Sequence, residues 1–359
     1  MSALRLADAA ASAARSQGTT LALLGTGTVG TAFLARLARL QATGKASGLR
    51  LVQVANSRRR IHDAGGLDPR IARGQLGDGE SQHLDGVAPA LCRAGIIIDA
   101  TASDEVAHRH AAWLAAGFCV VTANKAGTGG VLSQYQAIQA HALRYGDAAT
   151  VGAGLPLLRS LRELRAGGDR IHGLAGVLSG SLAWLFNHYD GMRPFSALVR
   201  EARQRGYTEP DPRVDLSGQD VKRKLLILAR NAGFELEAEA IRVESLLPPA
   251  LAEAAPDAVD LALAALDEPL RARFQAAHRV GRKLRLVARL DEPGGARIGL
   301  EELAPDDPLA TGSGCDNRLA IWSDRYREQP LVVQGPGAGA EVTAAALLDD
   351  ALRLAGRTG

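Results

Sequence analysis

The sequence predicts an α/β fold: a doubly wound parallel sheet in its first part and a second, α+β domain after it. Three observations carry that expectation. Short apolar runs alternate with amphipathic stretches over roughly the first 150 residues. A Gly-X-Gly-X-X-Gly turn follows the first of these runs. Beyond about residue 170 the pattern changes, and apolar runs follow one another late in the chain with few helical spacers. A length of 359 residues suits two domains.

The elements follow in order. LALLG (21–25) is the first strand, and Phe33, Leu34, Leu37 and Leu40 repeat at helical spacing behind it. RLVQVANS (50–57) is the second strand. Residues 58–85 are polar and glycine-rich and predict a long loop with little regular structure. GIIIDAT (95–101) predicts a buried strand and then a helix to about 116. FCVVT (118–122) predicts another strand, a helix follows over about 130–144, and ATVG (149–152) is the next strand. Strands that alternate with helices pair in parallel. IHGLAGVLSG then enters a new sheet, with helices at about 181–190, 195–205 and 217–231 and several between 248 and 278. KLRLVARL (283–290), ARIGL, RLAIWS and LVVQG predict strands of a mixed or antiparallel sheet. The turn GPGAG precedes an Ala/Leu-rich helix over 339–355. Residues 1–18 predict a disordered or weakly helical extension.

Composition is that of an ordinary soluble protein, 47% hydrophobic and 23% charged. The net charge of +3 is spread along the chain, so no basic tail or stripe points to nucleic acid. No apolar run approaches the length that spans a membrane. The early Ala-rich stretch carries Asp8 and lacks the apolar core of a secretory leader. Three cysteines, Cys92, Cys119 and Cys315, fit no metal spacing and predict a reducing, cytoplasmic setting.

Four motifs carry chemistry. Gly25-Thr-Gly27-Thr28-Val29-Gly30 follows a strand and opens a helix, which is the dinucleotide fingerprint; the helix N-terminus favours a pyrophosphate. The second strand ends in Asn56-Ser-Arg58-Arg-Arg60, with no acid to accept from a ribose 2′-hydroxyl. A guanidinium suits a 2′-phosphate, so NADP is favoured over NAD, with Arg58 as the contact; the alternative is a solvated basic turn. Thr101 and Ser103 end a buried strand where ligands sit in such sheets, and either binds cofactor or caps the next helix. VVTANKAG ends the following strand with Asn124 and Lys125, the lysine facing a cleft or solvent.

The fourth motif, GYTEPDPRVDLSGQDVKRK (206–224), packs four acids and four bases into nineteen residues. Ser217-Gly-Gln-Asp220 has the form of a capping box, and the helix behind it stops at Gly233. On that helix Asp220 and Lys224 fall within the arc of Val221, Ile227 and Leu228. A sheltered acid–base pair is a candidate for function, whereas an i,i+4 surface pair would be exposed on both sides. Pro210 and Pro212 hold Glu209, Asp211 and Asp215 extended, as carboxylates that receive a cationic ligand group. The residues therefore point to a reductase whose substrate carries an ammonium.

Together with ATVGAGLPLL, GVLSGSLAWLFN, VVTANKAG and GAGAEVTAA, this long motif resembles the homoserine dehydrogenase family, over about residues 20–355. It is most similar to the dehydrogenase half of bifunctional members, without a kinase portion or the regulatory ACT domain. The resemblance implies NAD(P)-dependent interconversion of L-homoserine and L-aspartate 4-semialdehyde, in threonine, methionine and isoleucine biosynthesis. It implies a Rossmann-type dinucleotide-binding domain over 19–150, completed by 336–359, and a substrate-binding and dimerisation domain over 151–335, giving a homodimer. By the same resemblance Lys224 is the proton donor, Lys125 contacts cofactor or substrate, Glu209 binds the substrate, and Asp215 and Asp220 support it. Thr28, Val29, Thr101, Ser103 and Gly337 match cofactor contacts. Main-chain carbonyls of Val151, Ala153 and Leu155 match a monovalent-cation site for Na+ or K+. The acid expected three residues before Val151 is here Ala148, with Asp147 one place early. Two rivals stand beside this reading. One is another two-domain NADP-dependent amino-acid or semialdehyde dehydrogenase; the other is a non-catalytic NADP-binding sensor.

Overall fold

The computed structural model describes residues 18–92, 94–291 and 295–358. The expectation for residues 1–18 falls, apart from Gly18, outside them. The described residues up to Gly154 pack with those from Gly339 onward as one unit, and the described residues between Leu155 and Ala338 form a second. Along the chain these packing units meet at 154/155 and 338/339, beside the domain divisions expected at 150/151 and 335/336.

The first unit holds β1 (Thr19–Leu24), α1 (Thr28–Ala42), β2 (Leu49–Ala55), β3 (Arg59–His62), β4 (Glu80–Ser81), β5 (Ile96–Asp99), α2 (Asp104–Ala115), β6 (Cys119–Thr122), α3 (Leu132–Gln139) and β7 (Tyr145–Gly146). Its seven strands run in the order β4-β3-β2-β1-β5-β6-β7. From β2 to β7 every neighbouring pair is parallel. The chain reverses its winding between β1 and β5, and ligands gather outside the strand ends at such a point. Strands buried on both faces explain the unbroken apolar runs. Leu21, Leu23, Ile96 and Ile98 pack with Phe33 and Leu37 of α1 and with Leu347 and Leu348 of the last helix, Ala340–Thr358. The intervening Ala22, Leu24, Ile97 and Val120 pack with Trp113 and Leu114 of α2 on the other face.

Two expectations fail here. Residues 58–85 are not all loop, since β3 and β4 extend the sheet in antiparallel fashion. Asn56 Oδ1 accepts from the amides of Arg58 and Arg59, both at 2.8 Å, and so turns the chain back along β2. Three consecutive arginines carry no alternating apolar signal by which that strand could be read. Second, ATVG is not a strand. Thr150 donates through both its amide (2.9 Å) and its hydroxyl (2.8 Å) to the Asp147 carbonyl, winding 148–150 into a 3₁₀ turn. The strand is the two-residue β7 just before it.

Asp350 on the last helix is 3% exposed and accepts from the Ala148 amide at 3.0 Å. Burial pushes its carboxyl above the ordinary carboxylate range, and the nearby Asp147 adds to this, against the pull of Arg353. A raised folded-state value penalises the ionised form. The penalty is absent where folded and unfolded chains are both protonated and complete above the raised value. Asp350→Asn is therefore expected to gain thermal stability relative to the parent as pH rises from about 4 to 7. Melting curves across that range check it, and a gap that narrows with pH would contradict it.

The second unit holds α4 (Leu157–Ala166), β8 (Ile171–Val177), α5 (Gly180–His188), α6 (Phe195–Gln204), α7 (Arg213–Leu216), α8 (Gln219–Ala232), β9 (Ile241–Val243), β10 (Lys283–Asp291), β11 (Gly295–Leu303), β12 (Asp316–Ser323) and β13 (Leu331–Pro336), with further helices between β9 and β10, the longest of them Asp267–Arg279. Its six strands run β13-β12-β8-β10-β11-β9. All neighbours are antiparallel except β9 and β11. Helix α8 buries Leu225, Ile227 and Leu228, and stops at Gly233, whose φ of 101° suits a residue without a side chain. No described helix is long and apolar enough to cross a membrane.

Candidate active site

In the first unit the strand ends at the reversal point frame a cavity of about 610 Å³, lined by Gly25, Asn56, Ser57, Thr101, Ser103 and Arg109 among others. Helix α1 begins immediately after Gly27, which as N-cap offers no side chain to the first-turn amides. A Cβ at Gly27 would meet nothing within 4 Å. A Cβ at Gly30 would lie 1.9 Å from the Gly25 carbonyl oxygen. The first glycine thus leaves open space at a helix N-terminus, and the second lets helix and turn touch. Uncapped amides facing open space fit a pyrophosphate.

Of the three arginines after β2, Arg59 donates to the Gly79 carbonyl at 2.9 Å and Arg60 pairs with Glu80 at 3.2 Å. Arg58 is exposed, and its guanidinium makes no hydrogen bond or ion pair among the described residues. Ser103 caps α2 by accepting from the Val106 amide at 3.3 Å. Its cofactor and capping readings are compatible, because Ser103 also lines the cavity.

Sequence reasoning missed the buried group beneath these residues. Asp99, wholly buried, accepts from the Thr101 hydroxyl at 2.7 Å and from the Thr101 amide at 2.9 Å. His110, equally buried, meets Asp99 at 3.0 Å and the Tyr145 hydroxyl at 3.1 Å. Thr122 bonds to Asp99 and to the Asn124 amide, and Asn124 donates to the Ser103 carbonyl at 2.8 Å. The network ties the Thr101 loop to the loop carrying Lys125. The only sequence signal was an aspartate closing an all-apolar strand.

In the second unit the opening of α8 departs from a capping box. The N-cap is Gly218, at φ 73°, and makes no side-chain cap bond. Ser217 instead donates to the Val214 carbonyl at 2.7 Å. Lys224 Nζ stands 2.8 Å from Asp220 Oδ2 and donates to the Leu178 carbonyl at 2.8 Å. The lysine side chain is 11% exposed and that of Asp220 47%. The surface-pair alternative therefore describes Asp220 but not Lys224, whose ammonium is sheltered.

The other acids divide by partner. Arg213 donates to both Asp211 oxygens and holds that carboxyl below the usual carboxylate range. Asp215 accepts from the Ser181 hydroxyl at 2.7 Å and from the Glu209 amide at 2.9 Å, and so fixes the loop on which Glu209 sits. The Glu209 carboxylate is exposed and makes no hydrogen bond or ion pair among the described residues. Sequence reasoning named neither Ser181 nor the Leu178 carbonyl, although both lie in the quoted GVLSGSLAWLFN.

Gly337 belongs to the second unit, and a Cβ there would lie 2.0 Å from Asn317 Cγ. Asn317 is 1% exposed. Its Nδ2 donates to the Leu178 carbonyl at 3.3 Å, while its Oδ1 is buried with no partner among the described residues. An unpaired buried amide oxygen costs about 1–3 kcal/mol. Around the expected cation ligands, Gly152 and Ala153 take φ of 77° and 51°. A left-handed alanine is uncommon and marks a sharply reversed chain.

A doubly wound sheet with an uncapped, glycine-lined helix N-terminus, and a second unit bearing a sheltered lysine paired with a more exposed aspartate, define a class: two-unit dehydrogenases built on a dinucleotide-binding sheet. The family models agree and are more specific. Residues 25–146 match the homoserine dehydrogenase NAD binding domain, and residues 156–352 match homoserine dehydrogenase. The chain belongs to the homoserine dehydrogenase family. It is 41% identical to bifunctional aspartokinase/homoserine dehydrogenase 2 of Escherichia coli (strain K12), across 93% of this chain and 43% of that one. It thus spans less than half of that bifunctional relative. It is 34% identical to homoserine dehydrogenase of Emericella nidulans, across 93% of this chain and 97% of the fungal one. A hyperthermophilic archaeal homoserine dehydrogenase solved in complex with NADPH shares the fold, with a TM-score of 0.72 at 21% identity over 95% and 98% of the two chains.

Proposed function

We propose that this chain is an NADP-preferring homoserine dehydrogenase that interconverts L-homoserine and L-aspartate 4-semialdehyde. The observation that carries the proposal is the Lys224 ammonium, sheltered and held by Asp220 and the Leu178 carbonyl. In the same unit Glu209 leaves a carboxylate without a partner among the described residues.

Bound at the α1 N-terminus, the nicotinamide cofactor would supply or accept the hydride. The remaining steps belong to the chain. Glu209 receives the substrate ammonium, on a loop fixed by Asp215. Lys224 stabilises the negative charge that develops on the carbonyl oxygen during reduction and then protonates it. In the oxidative direction it returns as the acceptor of that proton. Thr101 and Ser103, held by Asp99 and Asn124, position the cofactor beside Lys125.

Arg58 is the guanidinium we assign to the 2′-phosphate. Arg58→Asp is expected to weaken NADPH binding by roughly 10-fold or more and to leave NADH binding nearly unchanged. Fluorescence titrations with both cofactors check this; equal affinity of parent and variant for NADPH would remove Arg58 from the reading.

Chain assembly as a homodimer, cytoplasmic location and a Na+ or K+ ion on the Val151, Ala153 and Leu155 carbonyls belong to the same proposal. Turnover assays with choline in place of both cations, and light scattering on the same preparation, test the ion and the dimer. A semialdehyde dehydrogenase with a cysteine nucleophile is disfavoured, because burial pushes the Cys119 and Cys315 thiols up, away from the reactive thiolate, and the exposed Cys92 opens no helix among the described residues.

A further inference from the structure

The Leu178 carbonyl oxygen accepts from two side chains, Lys224 Nζ at 2.8 Å and Asn317 Nδ2 at 3.3 Å. Asn317 lies on β12, where it pairs with Gly335 of β13. The amide occupies space that only a glycine at 337 leaves free. Its Oδ1 meets no donor among the described residues, so the bond to Leu178 is the one polar contact this side chain makes there. Rotating the amide would not relieve Oδ1, since it would then face the Leu178 oxygen, acceptor against acceptor.

An ammonium has three N–H bonds in tetrahedral array. Two of those of Lys224 are engaged, by Leu178 O and by Asp220 Oδ2. Once two directions are fixed, the third is fixed as well, and that third N–H is the one available to a substrate oxygen. Its aim depends on how firmly the Leu178 carbonyl is held.

We infer that Asn317 is a positioning residue for the reaction: by donating to the Leu178 carbonyl it locks the acceptor that orients the Lys224 ammonium. This rests on the reading of Lys224 as the proton donor. Asn317 touches neither substrate nor cofactor in this account and acts through the carbonyl alone. The charged group tied to this position is Lys224, which shares the Leu178 oxygen with Asn317 and pairs in turn with Asp220. Neighbouring Asp316 and Arg318 point to the opposite face of β12.

The test compares the full-length parent with Asn317→Ala and Asn317→Asp, using L-homoserine and NADP+. The alanine variant is expected to lose roughly 10- to 100-fold in kcat, with KM for homoserine and Kd for NADP+ within about twofold of the parent. The aspartate variant is expected to be pH-dependent relative to alanine. Protonated, its carboxyl donates to Leu178 O; ionised, it cannot donate and competes for the lysine. Its kcat should therefore approach the parent's as pH falls and drop below that of Asn317→Ala as pH rises. Should the alanine variant fail to fold, the pH response of the aspartate variant gives the same decision. Parental kcat in both variants would overturn the inference. So would a loss of kcat in step with cofactor affinity and melting temperature, which is the mark of packing alone. A parent that turns over homoserine while both variants keep its kcat refutes Asn317 alone; a parent with no turnover refutes the proton-donor reading beneath it.

Discussion

Lys224→Ala is expected to lower kcat by about 10²- to 10⁴-fold while the dissociation constant for NADP+ stays within about twofold. The ammonium is 11% exposed on its side chain and sits 2.8 Å from both Asp220 Oδ2 and the Leu178 oxygen. In that shelter its charge is weakly screened, so it opposes developing alkoxide charge more strongly than a solvated lysine would. On the proposed role, its removal deletes both that stabilisation and the proton. The cofactor-binding features belong to a different packing unit, so their affinity should not follow. Steady-state kinetics beside a cofactor titration separate the two outcomes. Equal losses in kcat and cofactor affinity would make Lys224 a structural residue.

Gly30→Ala and Gly27→Ala are expected to fail in different ways. A methyl at position 30 would lie 1.9 Å from the Gly25 oxygen and 2.9 Å from its carbon. Both are main-chain atoms, so α1 and the turn must move apart. The expected cost is about 1–3 kcal/mol of stability, and NADP+ affinity falls with it. A methyl at position 27 meets nothing within 4 Å. It should leave stability within about 1 kcal/mol of the parent, yet occupy the space given to the pyrophosphate. Thermal melts and NADP+ titrations on both variants make the comparison. If Gly27→Ala binds NADP+ as the parent does, the cofactor does not lie against this turn.

Much of the first unit was legible because its strands are buried on both faces and read as continuous apolar runs. β3 was not, since its pairing follows from the Asn56 turn rather than from alternating side chains. The pairing of Asp220 with Lys224 was legible from helical spacing, whereas the exposure of Asp220 was not. The site was not legible where a contact depends on main-chain atoms or distant pairing. The Leu178 carbonyl has no sequence signature, and Asn317 reaches it only through sheet register, 139 residues along the chain. Gly337 shows the same limit. The resemblance matches it to a cofactor contact; that its missing side chain also makes room for Asn317 follows only from the packing. Asp99 and His110 were hidden because a buried polar pair looks, in sequence, like a strand end and a helix residue.

On the proposed function, this chain moves hydride and proton at the hydroxyl-bearing carbon of an amino acid. Incubating the purified chain with L-homoserine and NADP+, and following nicotinamide absorbance, tests it most directly. The expected result is NADPH formation that depends on homoserine and slows by about 10²- to 10⁴-fold in Lys224→Ala. Folded protein that binds NADP+ but produces no NADPH from homoserine would contradict it.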